Sequence, residues 1–209
     1  MRSGSDPTLP KTLVLATRNP DKVRELKAMA AGLEIEIRSL ADYPGAPEVV
    51  EDGATAEENA VKKARSAAEF TGEWSAADDT ALEVDALGGA PGVHAARYAG
   101  PEQDYAANNR KLLAELEGVS PADRGARFVT AAALAVPGGR TLTFIGERRG
   151  SIAVEPRGDN GFGYDPLFID AELGKTFAEL EPQTKNRISH RAAAFGKLFT
   201  LLATMLKGG

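Results

Sequence analysis

The feature that most constrains this chain is the apolar run at residues 12–16, TLVLA, followed without pause by TRNPDKVRELKAMAAGL. A short, nearly continuous apolar run is the pattern of a strand buried on both faces, and such strands lie in sheets covered by helices. Beyond it, Val23, Leu26, Met29, Ala30 and Leu33 fall on one face at helical spacing. Asn19 suits the N-cap, Pro20 the first helical position and Asp21 the first turn, so the helix has a definite start. The unit is strand, tight loop, helix, and it points to a layered α/β protein.

The rest of the chain extends that reading. Thr55 and Glu58 form a capping box ahead of a small-residue helical face (Ala60, Ala64, Ala67, Ala68) that stops at Gly72. Residues 74–77 read as another buried strand, closed by an acidic turn, Asp78-Asp79-Thr80. The Gly/Pro-rich stretch LGGAPGVHAARYAG is expected to be a loop over a cleft. Helical spacing resumes over 104–116. Residues 128–136 and 141–145 flank Pro137-Gly138-Gly139-Arg140 as a β-hairpin, with a further strand at 151–154. A last helix carries Ile188, Ala192, Phe195, Leu198, Phe199, Leu202, Met205 and Leu206 on one face and is capped by Gly208. The expectation is an α/β fold of three layers with a long mixed central sheet, in two lobes with a cleft between them. Residues 1–10 are expected to be a disordered lead and 11–209 a single two-lobed domain.

Composition excludes several kinds of chemistry. With no cysteine there are no disulfides, thiolate nucleophiles or zinc ribbons. The two histidines, His94 and His190, are far apart, so any metal should be hard and oxygen-bound. Twenty-five basic residues against 30 acidic ones give a net charge of −5, which disfavours non-specific nucleic-acid binding. No apolar run reaches the roughly 20 residues of a membrane span, and MRSGSDPTLPKT lacks the apolar segment of a signal peptide. The protein is expected to be cytoplasmic, without membrane or nucleic-acid partners.

Familiar nucleotide and hydrolase signatures fail. Gly174-Lys175-Thr176 resembles the end of a P-loop, but Ile169 stands where the first glycine is required. Neither G-x-G-x-x-G nor G-x-S-x-G occurs. What remains is a set of local patterns, each with a plain alternative. Thr17 to Lys22 places free backbone N–H groups, the positive end of a helix dipole and a lysine together, either a phosphate site or a simple capped helix. Lys63 lies one turn beyond Asn59, on what is either a solvated face or a site. Asp78 and Asp79 follow an apolar strand and, if buried, need a partner such as Mg²⁺, unless they merely form a turn. Glu51 offers a further carboxylate, or belongs to an ordinary loop. Gly161 to Pro166 is either a loop presenting a ring to a base or a strand-edge turn. Lys185, Ser189, His190 and Arg191 form a basic cluster that opposes the dipole at a helix start, which a bound anion or acceptor-rich ligand would explain.

Taken in order, ATRNPDK, ENAVKKA, ADDTALEVDALGGAPG, GFGYDP and KNRISHR resemble the inosine triphosphate pyrophosphatase family, from about residue 12 to the last helix. The resemblance implies a homodimer that hydrolyses XTP, dITP and ITP to the monophosphate and pyrophosphate with Mg²⁺. It also implies that Thr17, Arg18, Asn19, Pro20, Asp21 and Lys22 hold the phosphates, although Arg18 and Asp21 occupy variable positions. Lys63 is then a second phosphate cation and Asp79 the catalytic carboxylate and metal ligand, with Asp78 beside it and Glu51 as a further ligand. Thr80 touches substrate, Phe162, Gly163, Tyr164 and Asp165 form the base platform, and Lys185, His190 and Arg191 reach the base. Two other readings fit the same motifs: a pyrophosphatase for modified pyrimidine or other nucleotides, and a nucleotide-binding module without turnover.

Overall fold

A computed structural model describes residues 9–208. Strand β1 (Thr12–Leu15) leads into helix α1 (Pro20–Met29), and β2 (Glu36–Ser39) returns beside β1 in parallel. Helix α2 (Ala56–Thr71) then delivers the chain to β3 (Trp74–Val84), also parallel to β1. From there the sheet is antiparallel. β4 (Pro91–Gly92) pairs with β3, and after helix α3 (Tyr105–Glu115) the long strands β5 (Gly125–Ala135) and β6 (Thr141–Ile152) extend it to β7 (Phe168–Asp170). The order is β2-β1-β3-β5-β6-β7, with helices α4 (Pro182–Ile188) and α5 (His190–Gly208) closing the chain.

Side-chain alternation along these strands builds three layers. Leu13 and Leu15 of β1, with Ala132 and Leu134 of β5, face α1 and α5 and pack on Leu26, Phe195, Leu198 and Leu202. Val14, Ala131, Ala133 and Ala135 point the other way, onto Ala60, Ala64, Ala67 and Ala68 of α2. Alanine against alanine lets that helix lie close to the sheet, which the small-residue face anticipates. Past the middle of β3 a second lobe forms around Leu82, Leu112, Leu116, Phe128, Phe168 and Phe177. The expected three-layer α/β architecture with a long mixed sheet and two lobes is therefore present.

Several local expectations are corrected. Asp78-Asp79-Thr80 is no turn: these residues sit inside β3, paired with Ala132, Ala131 and Thr130 of β5. Residues 151–154 are not a separate strand, because Ser151 and Ile152 end β6. The last helix is interrupted at Ser189, whose extended backbone (φ −67°, ψ 161°) separates α4 from α5, so Lys185 belongs to α4. Gly208 lies within α5 rather than capping it. The punctuated stretch 87–100 follows a short 3₁₀ turn that ends at Leu87 and contains β4 and a second such turn at Ala95–Arg97. Of the expected disordered lead, residues 1–8 lie outside the described residues, and Pro10 is buried.

One glycine sets the entry of α5. A Cβ on Gly146 of β6 would lie 2.3 Å from both the Ala194 nitrogen and the His190 carbonyl oxygen, so only glycine lets the first turn of α5 touch the sheet. That contact brings His190 and Arg191 to the cleft between the lobes.

Candidate active site

The cleft has a volume of about 700 Å³, and its walls come from both lobes. At one end, β1 stops and α1 begins. Asn19 caps α1 by accepting from the backbone N–H groups of Asp21 and Lys22 at 2.9 and 3.4 Å, while Thr17 Oγ1 accepts from Asn19 N–H. Thr17, Arg18, Asn19 and Lys22 line the cleft, but Pro20 and Asp21 do not. Pro20 is the first helical residue, and Asp21 pairs with Arg24 on the surface. Arg18 donates to the Ala46 carbonyl.

Asp78 and Asp79 project from adjacent positions of β3 to opposite faces of the sheet, and each meets a different cation. Asp78, 3% exposed, accepts from Lys22 at 3.0 Å and from Arg191 at 3.1 Å. Burial alone would raise its pKa, but Lys22, Arg191 and Lys63 together hold the carboxyl well below the usual range. Both its oxygens thus meet cations, an arrangement that suits an anchor. Asp79 accepts from Lys63 at 2.7 Å and, weakly, from Asn59 Nδ2 at 3.4 Å. Burial pushes its pKa up against the pull of Lys63.

Glu51 is drawn to the same place, with Oε1 3.1 Å from Lys63 Nζ and Oε2 3.5 Å from Arg97. Two carboxylates, Glu51 and Asp79, therefore converge on one ammonium. This donor set fits Mg²⁺, which takes one or two carboxylates and completes its shell with water and substrate phosphates. Among the described residues no three acidic or imidazole groups converge as a ready-made cage. Thr80 adds a hydroxyl at the cleft wall, 2.7 Å from Thr130 Oγ1.

At the other end Lys185, Glu25 and Arg191 form a buried ladder. Glu25 lies 2.6 Å from Lys185 and 2.8 Å from Arg191, and Lys185 also donates to Asp165. Phe162 covers both cations, 4.8 Å from Lys185 Nζ and 5.4 Å from the Arg191 guanidinium carbon. The loop shape depends on Gly161: at φ +78° its absent Cβ would overlap Asp165 Oδ2, the atom that accepts from Phe162 N–H at 2.8 Å. Gly163 lines the cleft. Tyr164 also lines the cleft; it is 6% exposed, with its hydroxyl donating to the Ala95 carbonyl. His190 is not part of a cationic cluster. Burial keeps its imidazole neutral, and it stacks on Phe128 at 4.3 Å. Ser189 is buried and caps α5 through Ala192 N–H.

Four further residues enter the site. Glu25 lies three residues beyond Lys22 on the same helical face, a spacing visible in the sequence. Asn59 is one turn before Lys63; it donates to Asp79 and accepts from Gly53 N–H at 2.8 Å, tying the Glu51 loop to the carboxylate. Arg97 and Tyr105 have no local signal, because their place follows from how the second lobe folds back.

Comparisons with known proteins identify the family. Residues 13–201 match the model of the Ham1 family. A protein of Exiguobacterium sp. (strain ATCC BAA-1283 / AT1b) named dITP/XTP pyrophosphatase is 53% identical over 196 residues, covering 94% of this chain and 99% of that relative. Its namesake in Lactiplantibacillus plantarum is 53% identical over 193 residues, covering 92% and 95%. The structure of a HAM1 protein from Coxiella burnetii superposes with a TM-score of 0.82 at 42% identity, covering 91% of this chain and 98% of that one. With its whole two-lobed body matched in sequence and in structure, the chain belongs to the Ham1 family.

Proposed function

We propose that this chain hydrolyses the non-standard purine nucleoside triphosphates dITP, XTP and ITP to the monophosphate and pyrophosphate, removing them from the nucleotide pool. One observation carries the reading: a single cleft joins an anion end, with the α1 N-terminus, Lys22 and Lys63, to a base end whose two cations keep donors to spare. Of the five N–H groups of Arg191, three go to Asp78 and Glu25; of the three on Lys185, two go to Glu25 and Asp165. The remaining donors suit the oxygen at position 6 of hypoxanthine and xanthine. Adenine offers an amino group there, donor against donor, a mismatch that can reject an analogue by up to about 10⁴–10⁵. Phe162 supplies a stacking face. The names borne by relatives at 53% identity support the same activity.

A triphosphate carries about four negative charges, so its oxygens must be neutralised before water can reach phosphorus. Lys22, Lys63 and the N–H groups of the α1 N-terminus do this from the protein side. Asp79 Oδ1 is held by Lys63, which leaves Oδ2, with its single long contact to Asn59, to orient a water and take its proton. Glu51 and Asp79 are the residues that would hold Mg²⁺. When bound, that ion supplies further charge neutralisation of the phosphates. Residues 11–209 act as one catalytic unit in the cytoplasm. No helix among the described residues is long and apolar enough to cross a membrane.

The acting form is a homodimer, a reading that rests on the family resemblance. Trp74, 7% exposed in the core, offers such an interface no surface. Sedimentation at micromolar concentration tests it, and a species of 22.0 kDa alone overturns it. The activity is tested by pyrophosphate release from dITP, XTP, ITP, dGTP and ATP with Mg²⁺ and again after EDTA. The expected result is turnover of the first three well above ATP, and, as the family resemblance implies, above dGTP, whose guanine shares the position-6 oxygen; it is lost with EDTA and restored by Mg²⁺. Equal kcat/KM for ATP and ITP removes the donor-pocket argument.

A further inference from the structure

Helix α3 touches both ends of the cleft through side chains one turn apart. Tyr105, its first residue, accepts a hydrogen bond from Asn19 Nδ2 at 2.7 Å, and its ring lies 6.0 Å from that of Phe162, tilted by 38°. Asn109, four residues on, donates to the Gly163 carbonyl at 3.0 Å. Asn19 is thereby held from two sides. Its oxygen caps α1, and its amide is held by α3.

The two anchors belong to different lobes. Leu112 of α3 packs in the cluster around Phe128 and Phe168, whereas α1 packs through Leu26 on Leu13 and Leu15. The Asn19–Tyr105 bond therefore spans the cleft. Burial raises the Tyr105 pKa, so the hydroxyl stays neutral at neutral pH.

We propose that Tyr105 is a positioning residue that couples the phosphate end of the cleft to its base end, its hydroxyl fixing Asn19 and its ring fixing Phe162. The proposal rests on the nucleotide reading of the cleft, and it assigns separate work to two parts of one side chain. Without the hydroxyl, the cap of the anion loop loses its only side-chain tether to the other lobe among the described residues, and its donors are less well aimed. Without the ring, Phe162 loses its aromatic neighbour on α3.

Tyr105→Phe removes the first part and keeps the second. The loss of one net hydrogen bond corresponds to a change of about 3–10-fold. We expect the Kd of inorganic tripolyphosphate, measured calorimetrically in Mg²⁺ buffer, to rise by that factor in Tyr105→Phe. The KM for dITP should rise in parallel, with the ratio of kcat/KM for dITP over dATP unchanged. Tyr105→Leu, which removes the ring as well, should lower that ratio in addition. A change that merely unfolds part of the population would lower the number of binding sites and kcat while leaving Kd and the ratio intact. That outcome, or equal tripolyphosphate Kd in the parent and Tyr105→Phe, overturns the coupling. Tripolyphosphate binding without dITP hydrolysis in the parent refutes the proposed activity instead, and the Kd comparison still decides the role of Tyr105.

Discussion

Glu25 stands in the middle of a buried run of alternating charge, Asp78, Arg191, Glu25, Lys185 and Asp165, and replacing it by glutamine removes the central negative charge. The carboxylate accepts from Lys185 at 2.6 Å and from Arg191 at 2.8 Å, and its side chain is only 12% exposed. Burial alone would raise its pKa; Arg191 and Lys185 outweigh burial and hold it below the usual value. A glutamine oxygen can still accept from one cation, but its NH₂ group then faces the other, a donor against a donor. Removing one partner of a buried ion pair costs about 3–5 kcal/mol. The lower end applies here, because Arg191 keeps Asp78 at 3.1 Å and Lys185 keeps Asp165. For a domain of this length, about 3 kcal/mol lowers Tm by roughly 6–12 °C. Thermal unfolding at pH 7 followed by circular dichroism measures the shift. Glu36→Gln, on an exposed pair with Arg38, is the control and should leave Tm unchanged. A Glu25→Gln protein melting within about 2 °C of the parent refutes the reasoning, since it would mean that water or movement relieves the unpaired cations.

Other expectations follow from the same charges. Asp79→Asn should keep the circular dichroism spectrum and lower kcat by at least about 10²–10⁴, the usual worth of a positioned general base; parent-like turnover would move that role elsewhere. Asp78 and Glu25 have depressed pKa values, so the stability they contribute is complete above their ordinary values of 3.8 and 4.5 and is lost as pH falls through the depressed ones. Asp79, raised by burial, works in the opposite sense for stability, since its ionised form is the costly one in the fold. Followed by NMR in EDTA, the Asp79 carboxyl should protonate above its ordinary 3.8, and titration below that value would contradict the raised direction.

Local signals in the chain reached much of this site, but unevenly. The loop from Thr17 to Lys22 was legible because strand, N-cap, proline and lysine are consecutive, so the anion end is built by neighbours in sequence. The alanine face of α2 was legible for the same reason. Asp78 to Thr80 reads locally as a turn because two adjacent carboxylates look like surface residues until Lys22, Lys63 and Arg191 arrive from three helices to neutralise them. By spacing alone Lys185 and Arg191 look like parts of one helix start. Ser189 breaks that helix, and Glu25, 160 residues before Lys185 in the chain, is what holds the two cations together.

Local signals in the chain were enough for most of the helices and strands, for their apolar faces and for the order of the five motifs. Each of these follows from steric preference, periodicity or side-chain chemistry acting within a few residues. The tertiary structure alone decided which carboxylate is spent and which is free. Asp78 and Asp79 are identical residues on neighbouring positions of one strand, and strand alternation sends them to opposite faces. One face brings Lys22 and Arg191 and the other brings Lys63, Asn59 and Glu51, so burial and charge divide two equal carboxylates into an anchor and a candidate base.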